Sequence, residues 1–201
     1  DYPREEFEII VVDDGSQDRT RMALGVFADQ IRLIQHRENQ GLPASLNHAI
    51  RAARAQYVVR VDSDDYVRAD FLKLLHMFVS ENRYMDAVAC DYLVVDDREV
   101  VCARKNCMEE PIACGIMFRT EQLIDVGLFD ESFLLYEEQD LRRRFLKKYD
   151  IYRLELPLYR YRRHNGNITN DVSACSYYLK RLLPSALPWS LVLPAALVAS
   201  W

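Results

Sequence analysis

Two short apolar runs, residues 7–12 (FEIIVV) and 57–61 (YVVRV), each stop at a cluster of aspartates: Asp13-Asp14-Gly15-Ser16 after the first, Asp62-Ser63-Asp64-Asp65 after the second. A brief β-branched run bounded by turn residues reads as a strand buried on both faces, the habit of parallel strands. Between them, residues 18–29 carry apolar positions at helical spacing with Ser16 or Asp18 as N-cap, and residues 31–35 read as a second strand. A helix over 43–54 follows, with Pro43 in its first turn. The order β-α-β-α-β predicts an α/β sheet flanked by helices. Such sheets bind ligands beyond the carboxyl ends of their strands, so both aspartate clusters are expected to face one crevice.

The rest of the chain supports one continuous domain. It reads as a helix over 69–81, a hairpin of 87–95 with 99–102, a strand over 112–118, a short helix over 120–126, an amphipathic helix over 138–148 and a last strand over 152–156. The 201 residues match about one domain, and 50% hydrophobic with 28% charged residues exclude a disordered or fibrous chain. Beyond Arg181 no charge occurs through Trp201, yet Pro184, Pro188 and Pro194 interrupt the run. Residues 171–201 are therefore expected to form a C-terminal helix and an apolar tail that contacts a membrane surface, anchored by Lys180, Arg181 and Trp189.

A net charge of -5, from 26 basic against 31 acidic residues, gives no general attraction to polyanions and excludes nucleic acid as the expected partner. The late basic run of Arg160, Arg162, Arg163 and His164 suits an anionic ligand. Five cysteines without a C-x-x-C pair suggest neither a disulfide framework nor a zinc knuckle, and point to reduced thiols in the cytoplasm. Gathered carboxylates repel one another unless a cation or hydrogen-bond donors neutralise them. Asp62 and Asp64, two residues apart, face one way in an extended segment, and such hard oxygen ligands suit Mg²⁺ or Mn²⁺.

The motifs V-V-D-D-G-S-Q-D-R-T (11–20), N-Q-G-L-P-A-S-L-N (39–47) and V-D-S-D-D (61–65) resemble those of family 2 glycosyltransferases. So do C-G-I-M-F-R (114–119), V-G-L-F-D-E-S-F (126–133), Y-E-E-Q-D-L-R-R-R (136–144) and Y-R-Y-R-R-H-N-G-N-I-T (159–169), in the family's order. The resemblance implies a GT-A fold over residues 1–170: an α/β, Rossmann-like, mixed and mostly parallel sheet flanked by helices. Members usually begin with a further strand and helix, so the chain is expected to lack that opening unit.

The activity implied is an inverting transfer of a sugar from a nucleotide diphosphate sugar, with UDP-sugars the favoured donors. The acceptor hydroxyl would belong to a glycan, a lipid-linked sugar or another molecule, in surface polysaccharide or glycan synthesis at the inner face of the cell membrane. By resemblance, Asp13 and Asp14 contact the nucleotide, with Asn47 facing its crevice and Gly115 admitting substrate close to the backbone. Asp62 and Asp64 hold the divalent ion, His164 lies near the ion or diphosphate, and Arg162 and Arg163 add phosphate contacts. An inverting displacement needs a general base, and the family's E-D-x-D-L pattern places it on Glu138, with Glu137 and Asp140 as further candidates. His36, His48 and His76 receive no functional role. Two other readings remain at this level. One is a non-catalytic nucleotide-sugar or glycan binding module, favoured by Glu in place of Asp at 138. The other is a nucleotidyltransferase, which would show a glycine-rich basic phosphate loop near the first strand; none is visible.

Overall fold

A computed structural model describes residues 2–133 and 135–163. After a 3-10 turn at Arg4–Glu6, β1 (Ile10–Asp13) pairs in parallel with β2 (Arg32–Gln35). Helix α1 (Thr20–Gly25), which connects them, is shorter than its periodicity predicts and buries no residue. A helix without a packed face gains little from extension, which is why it ends at Gly25. Helix α2 (Leu42–Ala52) then leads to β3 (Tyr57–Val59).

β3 belongs to a second sheet of order β3-β7-β5-β8-β4, formed with β4 (Tyr66–Val67), β5 (Ala87–Val95), β7 (Ile116–Arg119) and β8 (Ile151–Arg162). Strand β5 is its axis. One edge pairs in parallel with β8, while the other is divided between β7 at Ala87–Ala89 and β6 (Val101–Lys105) at Tyr92–Val95, both antiparallel. The β5–β6 pair is the expected hairpin. The sheet is mixed as expected but not mostly parallel: among the described residues only β1–β2 and β5–β8 pair in parallel, and the other four ladders are antiparallel, because β6 returns as a hairpin and β3, β4 and β7 enter against their neighbours' direction. Among the described residues β1 and β3 are not hydrogen-bonded to each other.

Period-two alternation along β5 sorts the core onto two faces. Val88, Cys90, Tyr92 and Val94 meet helix α3 (Phe71–Glu81), whose Phe71, Leu75 and Val79 recur every four residues. Ala87 and Ala89 face the other way, against Leu123 of α4 (Thr120–Asp125) and against Leu141 and Phe145 of α5 (Glu137–Phe145).

Strand β8 runs well past the expected 152–156, so Arg160 and Arg162 are strand residues and not part of a basic loop. Its register with β5 shifts where Leu154 gives way to Pro157, a residue that cannot donate to a ladder and is tolerated at a bulge. The two-residue β4 pairs Tyr66 with Arg160 and so brings the D-S-D-D turn against β8. Among the described residues no helix is long and apolar enough to cross a membrane, and the tail from 171 onward lies outside them.

Candidate active site

The two aspartates ending β1 are committed to the fold. Asp13 is 3% exposed and accepts hydrogen bonds from the Ser16 amide (2.9 Å) and Arg21 Nε (2.7 Å), donors that hold its carboxyl at about 2. Asp14 accepts from the amides of Gln40 and Gly41 (both 2.8 Å), and its Oδ1 lies 2.7 Å from His36 Nδ1. Burial opposes its ionisation, but the Gln40 amide, the His36 ring and the Gly41 amide together keep it below the usual carboxylate range. His36, itself buried, stacks on His48, with Nε2 3.0 Å from His48 Nδ1. Asp14 therefore shapes the 39–41 loop at the head of α2, where Gly41 has φ 92°, and His36 serves it. No spacing rule in the sequence pairs His36 with Asp14.

At the end of β3 the geometry converges. Arg60 is largely buried, and its Nε and Nη2 grip both oxygens of Asp62 at 2.6 and 3.0 Å while its Nη1 donates to Glu137 Oε1 at 3.2 Å. One guanidinium thus ties the strand end carrying the D-S-D-D turn to the first residue of α5. Arg60 stands two residues before Asp62, the same-side spacing of an extended chain, and that was the available sequence signal. Glu138 follows Glu137 on α5. Burial, reinforced by the adjacent Glu137 charge, raises its carboxyl to about 7.

Asp62 and Asp65 also gather with Cys114, their donor atoms lying within 4.8 Å of one another. Burial pushes the Cys114 thiol far above its ordinary value, so sulfur is a protonated neighbour here and the two carboxylates are the hard oxygen donors of the group. Burial also raises Asp65, whose oxygens accept from the Tyr159 hydroxyl (2.7 Å) and the Arg162 amide (2.7 Å). Asp64 contributes its carbonyl to Arg162 Nε at 2.8 Å. The donor set fits a hard divalent ion at this turn, and Arg162 and Tyr159 strap the turn to β8. Arg163 is exposed, with its amide bonded to Val95, and His164 lies outside the described residues.

Three other expected site residues face inward. Asn47 is 1% exposed: its Nδ2 donates to the Phe129 carbonyl (2.9 Å) and Glu131 Oε1 (2.8 Å), and its Oδ1 accepts from the Phe129 amide (2.9 Å). It clamps the loop between α4 and α5 and does not line the crevice. Asn47→Ala is expected to cost about 2–3 kcal/mol in denaturant unfolding, because both polar backbone groups of Phe129 lose their buried partner. A loss under about 0.5 kcal/mol would refute the clamp. Gly115 has φ 71°, and a Cβ there would meet Cys90 Sγ at 3.2 Å, so backbone conformation and core packing require the glycine. Asp140 binds Arg143 (3.3 Å) and Arg144 (2.8 Å), while Arg144 also holds the carbonyls of Val126 and Leu128. Asp140 is thus a buried structural anchor and not a base candidate.

The chain matches the family described as Glycosyl transferase family 2 over residues 1–183. It belongs to that family. The glycosyltransferase GlyG from Streptococcus pneumoniae is 30% identical over 192 residues, covering 82% of this chain and 64% of GlyG. The structure of TarS residues 1–349 from S. aureus in complex with UDP-GlcNAc superposes with a TM-score of 0.71 at 26% identity, covering 83% of this chain and 52% of that one. The mannosyltransferase PcManGT from Pyrobaculum calidifontis, solved with GDP-Man and Mn2+, shares the fold at TM-score 0.63 and 20% identity, over 90% of this chain and 53% of its own. The chain spans less than two thirds of the length of each. The GT-A architecture expected from the sequence is thereby shown.

Proposed function

We propose that this chain forms the donor-binding and catalytic core of an inverting glycosyltransferase that moves a sugar from a nucleotide diphosphate sugar, of UDP type, to an acceptor hydroxyl in surface glycan synthesis. The observation that carries the reading is Glu138: a carboxylate raised to about 7 by burial, next to a glutamate that Arg60 ties to the D-S-D-D turn. A base poised near neutrality accepts a hydroxyl proton efficiently without being wholly protonated at working pH. Glu138 takes that proton as the acceptor oxygen attacks the anomeric carbon. Glu137 is spent on Arg60 and Asp140 on Arg144, which leaves Glu138 as the base.

Asp62 and Asp64, with Asp65 beside them, would hold a Mg²⁺ or Mn²⁺ ion, and His164 is the family-based candidate for a further ligand. When bound, such an ion offsets charge on the departing diphosphate. Arg162 positions the turn, and Asp14 shapes the pocket wall through the 39–41 loop. The TarS structure with UDP-GlcNAc supports a uridine donor.

A thermal-shift screen of UDP-, GDP- and dTDP-sugars with and without Mn²⁺ tests the reading. The expected result is a rise of several degrees for a UDP-sugar with Mn²⁺ and little for the others. No shift with any donor would overturn it, and binding without turnover would leave a non-catalytic binding module.

A further inference from the structure

Helix α5 carries three consecutive arginines, and they are not equivalent. Arg143 and Arg144 share Asp140, and Arg144 also holds two loop carbonyls. Arg142 has no carboxylate at ion-pair distance among the described residues. Among the described residues its Nη1 is buried without a hydrogen-bond partner, and its Nη2 meets only Met108 Sδ, at 4.0 Å, among the weakest of acceptors. The neighbouring Cys107 thiol is raised to about 11 by burial and carries no charge. Beyond it, Asp91 is already matched by Arg153 and Arg104. Burial accordingly lowers the Arg142 pKa, as expected for a cation whose counter-charge is missing. Retaining such a charge destabilises the fold unless a ligand supplies the anion.

We propose that Arg142 is the receptor for a phosphate group carried by the acceptor. Residues 138 and 142 stand four apart on one side of α5, about 6 Å along its axis. With an acceptor hydroxyl at Glu138, a phosphate a few bonds away reaches the guanidinium, whose planar fork matches two phosphate oxygens. Met108 lies in the turn after β6 and is 39% exposed; its flexible thioether is a cover that an entering anion displaces. The assignment to the acceptor rests on the reading of Glu138 as base.

The test is thermal unfolding of the chain in EDTA, without donor, against inorganic phosphate and glycerol 3-phosphate, with glycerol as the uncharged control. The wild type is expected to gain about 3 °C at saturating phosphate, and Arg142→Met to gain nothing while melting at or above the wild-type temperature without ligand. Equal phosphate shifts in the wild type and the Arg142 variant would overturn the site. Arg142→Gln repeats the comparison should the Met variant fail to fold. Because divalent ion and donor are absent, the phosphate shift stands apart from the transferase reading. If the donor screen fails and the shift persists, the acceptor assignment falls and an anion site remains.

Discussion

Glu138→Gln is expected to lower the transfer rate by about 10²–10⁴-fold while leaving donor-induced thermal stabilisation intact. The amide keeps the shape of the side chain but cannot take the hydroxyl proton, whereas Arg60, Glu137 and Asp62 keep their contacts. In the wild type, kcat/KM should rise with pH through about 7, as the buried carboxyl ionises, and then level off. Stability runs in the opposite sense. The folded-state pKa is raised above the unfolded value of 4.5, so the protonated form favours the fold. That contribution is complete below about 4.5 and is lost as pH rises through about 7. Glu138→Gln should therefore melt above the wild type at pH 8 and close to it at pH 4. A variant that keeps its rate, or a wild type whose kcat/KM is flat between pH 5 and 9, would remove Glu138 from the mechanism.

The strands were legible because their β-branched runs are dense and end at turn residues; β5 matches its expected span residue for residue. The end of β8 was not, since charges and Pro157 disguise a strand whose second half is held by cross-sheet pairing with β4 and β5. The aspartate clusters were visible as chemistry, but their partners were hidden by chain distance. His36 reaches Asp14 from 22 residues away, and Tyr159 reaches Asp65 from 94. Asn47 is expected at the crevice only through the 39–47 family motif, and the sequence carries no sign of the Phe129 backbone 82 residues away that buries it as a clamp. Among the three acids of α5, the i,i+4 spacing of Asp140 and Arg144 was the signal that one of them is structural.

Arg60→Met should produce the largest loss of stability, about 3–5 kcal/mol at neutral pH, because it removes one member of a buried charge cluster and leaves the others facing each other. Asp62 loses both of its guanidinium hydrogen bonds and Glu137 its ion pair, so the strand end and α5 repel where they were joined. Turnover should fall with stability, since the base rides on α5. Mn²⁺ separates this account from a generic packing defect. With the guanidinium gone, both oxygens of Asp62 are open to a divalent ion, which replaces the lost positive charge. Mn²⁺ alone is therefore expected to raise the melting temperature of Arg60→Met by more degrees than that of the wild type, without restoring turnover, because the ion cannot reproduce the link to Glu137. Arg60→Lys, which keeps the charge but not the two-toothed grip, should fall between them in stability and Mn²⁺ response. Equal Mn²⁺ shifts in wild type and Arg60→Met would show that Asp62 does not take part in ion binding and that the guanidinium serves packing alone.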